Sequence, residues 1–385
     1  MLQVLPLSLY VHFPFCVHKC PYCDFNSHKA PTQIPEQAYV EALLQDLALD
    51  LQGRPNLPLV SIFMGGGTPS LFSPDAIATL LNGIKSKIVF APDIEITLEA
   101  NPGTIEHGQF AAYRAAGVNR ISLGAQSFND AHLRKLGRIH SASEIKVAVQ
   151  EIQRAGFDNF NLDLMYGLQG QTVSEARTDV ENAMALQPTH LSHYQLTLEP
   201  GTAFYHQKPV LPDQEETYAM QVSCQSVLSA NGFDQYEVSA YAKSGKQSAH
   251  NRNYWQFGDY FGIGAGAHGK LTDPVKGKVV RTERCKQPRE YLAVRIPQQR
   301  RLPDRVVTTD ELPFEFMLNA LRLNEGFSRK LFESTTGRPW TSIVVKVAQA
   351  ESKGLLAQFG HEHWRPTELG RRFLNDLQEL FLDPE

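Results

Sequence analysis

The sequence predicts an α/β fold, an incomplete (β/α)6 barrel with a small C-terminal α-helical, winged-helix-like domain, and three observations predict it. Short, apolar, β-rich runs alternate with longer amphipathic segments over the first two-thirds of the chain, the pattern of a parallel sheet with crossover helices. The strand runs number six, fewer than the eight of a closed barrel. Near Val306 the pattern changes to helix, helix, helix, hairpin, helix. The chain therefore divides into residues 1–304, a partial barrel with a following accessory segment, and 305–385, a helical domain.

Strands are expected at Ser8–Phe13, Val60–Met64, Ile94–Glu99, Arg120–Leu123, Asn159–Met165 and His190–Leu196. Between them lie segments of helical period. In Glu36–Gln52, Val40, Leu43, Leu44, Leu47 and Leu51 share a face, and Gly53 and Pro55 stop the helix. Ser73-Pro74-Asp75 reads as an N-cap, a proline at the first helical position and an acid in the first turn. Ser143 and Gly156 bracket another helix. Beyond residue 305, helices are expected at Thr309–Leu323, Ser328–Thr335 and Trp340–Lys353, a hairpin through Leu355–Arg365, and a last helix to Phe381. A functional site in such a barrel belongs at the carboxyl ends of its strands.

Composition narrows the function classes. With 42% hydrophobic and 20% charged residues, the chain is an ordinary globular protein. A net charge of −4 and a pI near 6.4 give no global case for nucleic acid. The C-terminal region carries 10 Lys/Arg against 12 Asp/Glu, unlike a DNA-binding winged helix. The apolar start, Met-Leu-Gln-Val-Leu-Pro-Leu-Ser, lacks a basic flank and does not read as a signal peptide. No run approaches the roughly 18–20 apolar residues of a spanning helix. Five cysteines without an export signal fit a reducing cytoplasm, and Cys224 and Cys285 read as structural. A monomer and a homodimer are both open at this level.

Three of those cysteines, Cys16, Cys20 and Cys23, crowd into eight residues. At C-x3-C-x2-C spacing, three thiolates can ligate three irons of a 4Fe-4S cluster and leave the fourth iron open. A zinc site would need a fourth ligand, for which His12, His18, Asp24 and His28 are near in sequence. A disulfide would leave an odd thiol and suit an oxidising compartment. The loop resembles that of the radical S-adenosylmethionine (SAM) enzymes. That resemblance implies that SAM chelates the open iron and is split by one electron into a 5′-deoxyadenosyl radical, the cofactor carrying the hard chemistry.

Other residues fit that resemblance. Gly65-Gly66-Gly67-Thr68-Pro69 follows an apolar strand, and glycines there let backbone approach a ligand closely. In the superfamily such a turn binds the methionyl amino group. Glu95-Ile-Thr-Leu-Glu99 alternates, so Glu95, Thr97 and Glu99 share a face. A carboxylate at the end of an inner strand needs a partner; Glu99 is a candidate for SAM, a salt bridge to a helix being the plainer role. Gln126 and Asp163 occupy matching strand ends, and Arg138 could offer a carboxylate its bidentate fork.

Taken together, the phrases resemble the oxygen-independent coproporphyrinogen III oxidases and their relatives: Tyr10-Val-His-Phe-Pro-Phe-Cys, Gly-Gly-Gly-Thr-Pro-Ser, Leu-Glu-Ala-Asn-Pro, Gly-Ala-Gln-Ser-Phe and Asp-Leu-Met-Tyr-Gly-Leu. The resemblance spans nearly the whole chain. It implies that Tyr10 lies beside the sulfonium, that Gly66, Glu99, Gln126, Arg138 and Asp163 hold SAM, and that Tyr22 and Phe25 shield the cluster. Two departures point away from the oxidase. Phe25 stands where the oxidases carry a further cysteine, and His250-Asn-Arg-Asn-Tyr-Trp255 replaces their Arg-Asn-Phe-Gln-Gly-Tyr-type phrase. Both are marks of a haem-chaperone branch of the family, which implies haem as cargo and haem-acceptor proteins, such as respiratory cytochromes, as partners.

His250 is the haem-ligand candidate, since neutral imidazole is a common axial ligand; a hydrogen-bonded structural histidine is the alternative. Gly262-Ile-Gly-Ala-Gly-Ala-His-Gly269 suggests a strand with a bare face for a flat ligand. It lacks the βαβ context of a dinucleotide fingerprint. Lys276–Arg301, with nine Lys/Arg against Glu283 and Glu290, reads as a solvated loop. The other reading is a patch for an acidic partner, for porphyrin propionates or for peripheral association with an anionic membrane.

Overall fold

The computed structural model describes residues 2–3, 5–54, 56–104 and 109–382. Six parallel strands form its centre: β1 Leu7–Phe13, β2 Leu59–Gly66, β3 Phe90–Ala100, β4 Arg120–Gln126, β5 Phe160–Tyr166 and β6 His190–Gln195. All six expected strands are present. The helices α1 Glu36–Asp50, α2 Pro74–Lys85, α3 Gln109–Ala116, α4 Ala142–Arg154, α5 Val173–Ala185 and α6 Gln214–Ala230 follow them in turn. Additional strands extend both edges: β7 Asp234–Gln235, β8 Ala240–Ala242, β9 Asp259–Ile263, β10 His268–Asp273, β11 Lys278–Glu283 and β12 Arg305–Val307. The resulting twelve-stranded sheet runs β12-β11-β10-β9-β1-β2-β3-β4-β5-β6-β8-β7 and does not close. Strand β9 lies parallel to β1, and the strands beyond it are antiparallel.

Strand alternation builds the site. Leu9 and Val11, Ile62 and Met64, Ile96 and Leu98, Ile121 and Leu123, and Leu162 and Leu164 are buried in the apolar core. The intervening residues form the other face: Ser8, Tyr10 and His12; Ser61, Phe63 and Gly65; Glu95, Thr97 and Glu99; Arg120 and Ser122; Asn161 and Asp163. That face is polar, unlike most parallel sheets, whose strands are apolar on both sides.

Local chemistry sets the helix ends. Ser73 Oγ accepts the Ala76 N–H at 3.3 Å, as the Ser-Pro-Asp signal predicts. For α4 the cap is Ser141 and not Ser143, because Glu144 stands three residues after Ser141 and completes a capping box. Helix α1 ends at Asp50, and Pro55 lies outside the described residues.

Two expectations are corrected in the accessory segment. The Gly262–Gly269 run is not one strand: β9 ends at Ile263, and Gly264 and Gly266 turn the chain with φ of +102° and +81°. A Cβ at Gly262 would stand 1.9 Å from the His268 carbonyl oxygen, and one at Gly266 would stand 2.2 Å from Asn26 Nδ2. The bare face is filled by the chain itself. Nor is Lys276–Arg301 a solvated loop. Arg284 and Arg301 bind Asp50 at 2.7 and 2.6 Å, Arg300 binds Gln45 at 2.8 Å, and Arg281 pairs with Glu315.

A short helix, α7 Ala249–Trp255, precedes β9. The C-terminal region holds α8 Glu311–Ala320, β13 Phe327–Ser328, α9 Arg329–Thr336, α10 Val344–Ser352, β14 Leu356–Gln358 and β15 His363–Pro366, a winged-helix-like arrangement. The expected last helix is broken into Glu368–Arg372 and Leu374–Glu379 at Phe373. Its core is separate and aromatic, with Phe316, Phe327 and Phe332 packed around Trp340 and Trp364, whose rings stack at 4.4 Å. Because β12 pairs with β11, the large sheet runs slightly past residue 304.

Candidate cluster and cofactor site

The cysteines occupy a loop after β1 that is closed by a two-residue parallel pairing of Phe15–Cys16 with His28–Lys29. The glycine turn after β2 is stapled to its base. Gly67 N–H donates to the Phe13 carbonyl at 2.6 Å and Thr68 N–H to the Phe15 carbonyl at 2.8 Å. A Cβ on Gly67 would lie 2.7 Å from both of those oxygens, so only glycine fits.

Each sulfur has a polar neighbour. Thr68 Oγ1 donates to Cys16 Sγ at 3.5 Å, Arg138 Nη1 donates to Cys20 Sγ at 3.7 Å, and Ser27 Oγ lies 3.8 Å from Cys23 Sγ. Burial pushes the Cys16 and Cys23 thiols above their ordinary value. All three cysteines are free and half-buried. Among the described residues, no three His, Cys, Asp or Glu side chains gather tightly enough for one metal ion.

Around this loop the strand ends bring the remaining predicted residues together. Gly66 N–H donates to Glu99 Oε2 at 3.0 Å, and Gly66 adopts φ +108° with the His12 ring packed where a Cβ would be. A Cβ on Gly65 would meet Glu99 Oε2 at 2.9 Å. Burial, then the neighbouring Asp163, raises the Glu99 carboxyl to about 8. Asp163 is raised by burial as well, although Asn161 Nδ2 at 2.7 Å and Ser122 Oγ at 3.3 Å donate to it. Two such carboxyls in one chamber form a place where a cation is welcome.

Arg138 spans loop and barrel: beyond Cys20 it donates to the Gly124 carbonyl at 2.8 Å and to Asn101 Oδ1. Gln126, at φ +70°, accepts from Tyr194 OH at 2.7 Å. Tyr10 OH donates to His12 Nδ1 at 2.9 Å, and His12 Nε2 donates to the Asn26 carbonyl at 2.8 Å, tying β1 to the cysteine loop. Tyr22 packs on Phe204 beside Arg138. Phe25, two residues after Cys23 on the same loop, is 57% exposed.

His250 lies at the opposite, amino-terminal end of the strands. It is 8% exposed, its ring stacks on Phe63 at 5.1 Å, and its Nδ1 is 3.2 Å from Ser61 Oγ. Sequence reasoning missed the network around it: Glu95, Arg120, Ser61, His190 and Tyr236. The same β3 alternation that exposed Glu99 put Glu95 on that face, and it was the available signal.

Residues 10–183 match the radical SAM superfamily model, and residues 307–373 match the HemN C-terminal domain model. Curated relatives named "Heme chaperone HemW" cover the chain end to end. That of Haemophilus influenzae is 48% identical and covers 100% of both chains. The Escherichia coli relative is 47% identical over 99% of this chain and 100% of its own. The chain belongs to the HemW heme chaperone family. A Bacillus subtilis member is 36% identical over 91% of this chain and 92% of its own. The solved coproporphyrinogen III oxidase HemN from Escherichia coli superposes with a TM-score of 0.82 over 98% of this chain and 90% of that one, at 22% identity; the shared fold is therefore a radical SAM fold with a HemN-type C-terminal domain. Family membership implies a 4Fe-4S cluster and SAM. Among the described residues, no helix is long and apolar enough to cross a membrane.

Proposed function

We infer that this chain is a haem chaperone that carries a 4Fe-4S cluster and SAM at its barrel mouth, binds haem, and passes it to acceptor haemoproteins such as respiratory cytochromes. The observation that carries this reading is end-to-end identity near one half with HemW chaperones. Phe25, in place of the further cysteine of the oxidases, supports it.

Cys16, Cys20 and Cys23 hold the cluster in this reading, with Thr68, Arg138 and Ser27 donating to or lying beside their sulfurs. When bound, the cluster supplies one-electron chemistry to SAM. The glycine turn Gly65–Gly67 and the Glu99 carboxyl receive the ammonium and sulfonium end of SAM. Arg138, fixed by Asn101 and Gly124, orients its carboxylate. Tyr10, Tyr22, Gln126 and Asp163 complete the pocket wall.

The test is anaerobic reconstitution followed by two assays on one preparation. Ferric haem titration is expected to give a saturable Soret change. Incubation with SAM, reductant and coproporphyrinogen III is expected to give no protoporphyrinogen. Catalytic formation of protoporphyrinogen would make the chain an oxidase and overturn the reading.

A further inference from the structure

The His250-Asn-Arg-Asn-Tyr-Trp255 phrase forms α7, and the structure places this helix as a plug between the barrel floor and the C-terminal domain. Its amino end rests on one carboxylate of β3. Glu95 accepts from Ser248 Oγ at 3.2 Å, Ala249 N–H at 3.1 Å and His250 N–H at 3.2 Å, and lies 3.8 Å from Arg120 Nε. The buried face continues with Asn253, whose Nδ2 donates to Ser8 Oγ and to the Asp259 carbonyl, both at 2.9 Å.

The outer face meets the C-terminal domain. Arg252 pairs with Glu325 at 2.7 Å, Gln256 donates to Glu325 at 3.3 Å, and Arg322 lies 4.3 Å over the Trp255 ring. Asn324 N–H donates to the Tyr236 carbonyl at 3.0 Å, so the contact continues beside the helix.

We propose that α7 is a positioning element that seats the C-terminal domain against the barrel floor, with Glu95 as its anchor, and that His250 belongs to this anchor and not to the coordination sphere of haem iron. The last clause rests on the haem-chaperone reading. The His250 ring is only 8% exposed, and its Nδ1 lies 3.2 Å from Ser61 Oγ, which in turn donates to Ser8 Oγ at 2.7 Å. The ring faces Phe63 and Tyr10 inside the barrel, at 5.1 and 6.3 Å. A porphyrin there would have to enter beside the Glu95 carboxylate, which already faces the buried Arg120 at 3.8 Å, so that cation is not free for a propionate.

The test combines amide hydrogen exchange with haem spectroscopy on the cluster-loaded chain. Arg252→Glu, which sets two acids face to face, is expected to speed exchange in 249–255 and 311–320 about fivefold to tenfold. The swap R252E/E325R should restore it. Glu95→Gln is expected to speed exchange in 249–255 by about tenfold while the Soret maximum stays that of the wild type. Adding haem to wild-type protein should leave exchange in 249–255 unchanged, because ligation by His250 would require the helix to leave the floor. Unchanged exchange in Arg252→Glu would overturn the seating. Haem-induced exposure of 249–255, or a His250→Asn variant that melts normally but loses the axial-ligand signature, would overturn the assignment of His250. A wild-type chain that takes up no haem would sink the chaperone reading alone, since the exchange of Arg252→Glu and its swap would still decide the seating.

Discussion

Glu95 and Glu99 sit four residues apart on the same face of one strand, and the fold treats them in opposite ways. Glu95 faces a helix terminus, where three donors and Arg120 surround its oxygens. Glu99 faces the cysteine loop, receives Gly66 N–H, and has Asp163 as an anionic neighbour. One carboxylate is satisfied by the protein; the other is held in a state that a cationic ligand would improve. The difference teaches that the floor of this barrel is built for rigidity and its mouth for binding.

The largest expected effect comes from breaking the satisfied member. Glu95→Ala leaves the Arg120 guanidinium, 2% exposed, with Thr97 Oγ1 at 3.4 Å and strips α7 of its anchor. Loss of about 3–5 kcal/mol of unfolding free energy is expected from orphaning a buried charge. Denaturant unfolding measures it, and a loss below about 1 kcal/mol would place Glu95 among surface pairs.

Glu99→Gln should act in the reverse direction on the ligand-free chain. Burial raises the folded carboxyl to about 8 from an ordinary 4.5. Between those pH values the folded state holds a proton that the unfolded state has released, so stability falls as pH rises through that window. Glutamine removes the effect. The variant is expected to melt close to wild type at pH 5 and to be more stable at pH 8.5, by on the order of 3 kcal/mol. It should also weaken SAM binding, measured by calorimetry at pH 8.5. Equal pH dependence in the two proteins would show that Glu99 is ionised throughout.

How far these roles can be read from sequence depends on range. The six strands and the flanking helices follow from alternation and caps within a few residues of each other, and the C-x3-C-x2-C spacing is local as well. The reason for Gly262 and Gly266 lies elsewhere in the chain, at the His268 carbonyl and at Asn26, and leaves no local signal. Arg284 and Arg301 looked solvated because Asp50, more than 200 residues away, supplies their partner. Nothing near His250 in sequence announces Ser61 or Glu95 as its neighbours. Periodicity gives the face of a strand, but not which end of the barrel a residue reaches once a later helix plugs the floor.

Asn26 is a smaller test of the mouth. Its Nδ2 donates to the Ala265 and Lys286 carbonyls at 3.0 and 2.9 Å, and its Oδ1 lies 3.1 Å from His28 Nε2. Asn26→Ala should cost about 1–2 kcal/mol and loosen the loop against the β9–β10 turn. Faster loss of cluster absorbance under chelator, with haem titration unchanged, is the expected readout; slower loss would contradict the loop's dependence on this contact.

The finest distinction between mouth and floor lies in Thr68. Its hydroxyl donates to Cys16 Sγ at 3.5 Å and accepts from Asn101 Nδ2 at 2.9 Å, so Thr68→Val keeps the side-chain volume while removing one donor to one sulfur and the acceptor of that amide. A hydrogen bond to a cluster sulfur favours the more negative, reduced state and raises the potential. The variant should therefore keep its iron content, lose about 1 kcal/mol of stability with the Asn101 bond, and show a more negative midpoint in anaerobic potentiometry. Ser61→Ala, an equal loss of one hydroxyl on the floor, should leave the midpoint where it was. If both variants shifted it alike, the potential would be responding to the whole barrel and the separation of mouth from floor would fail.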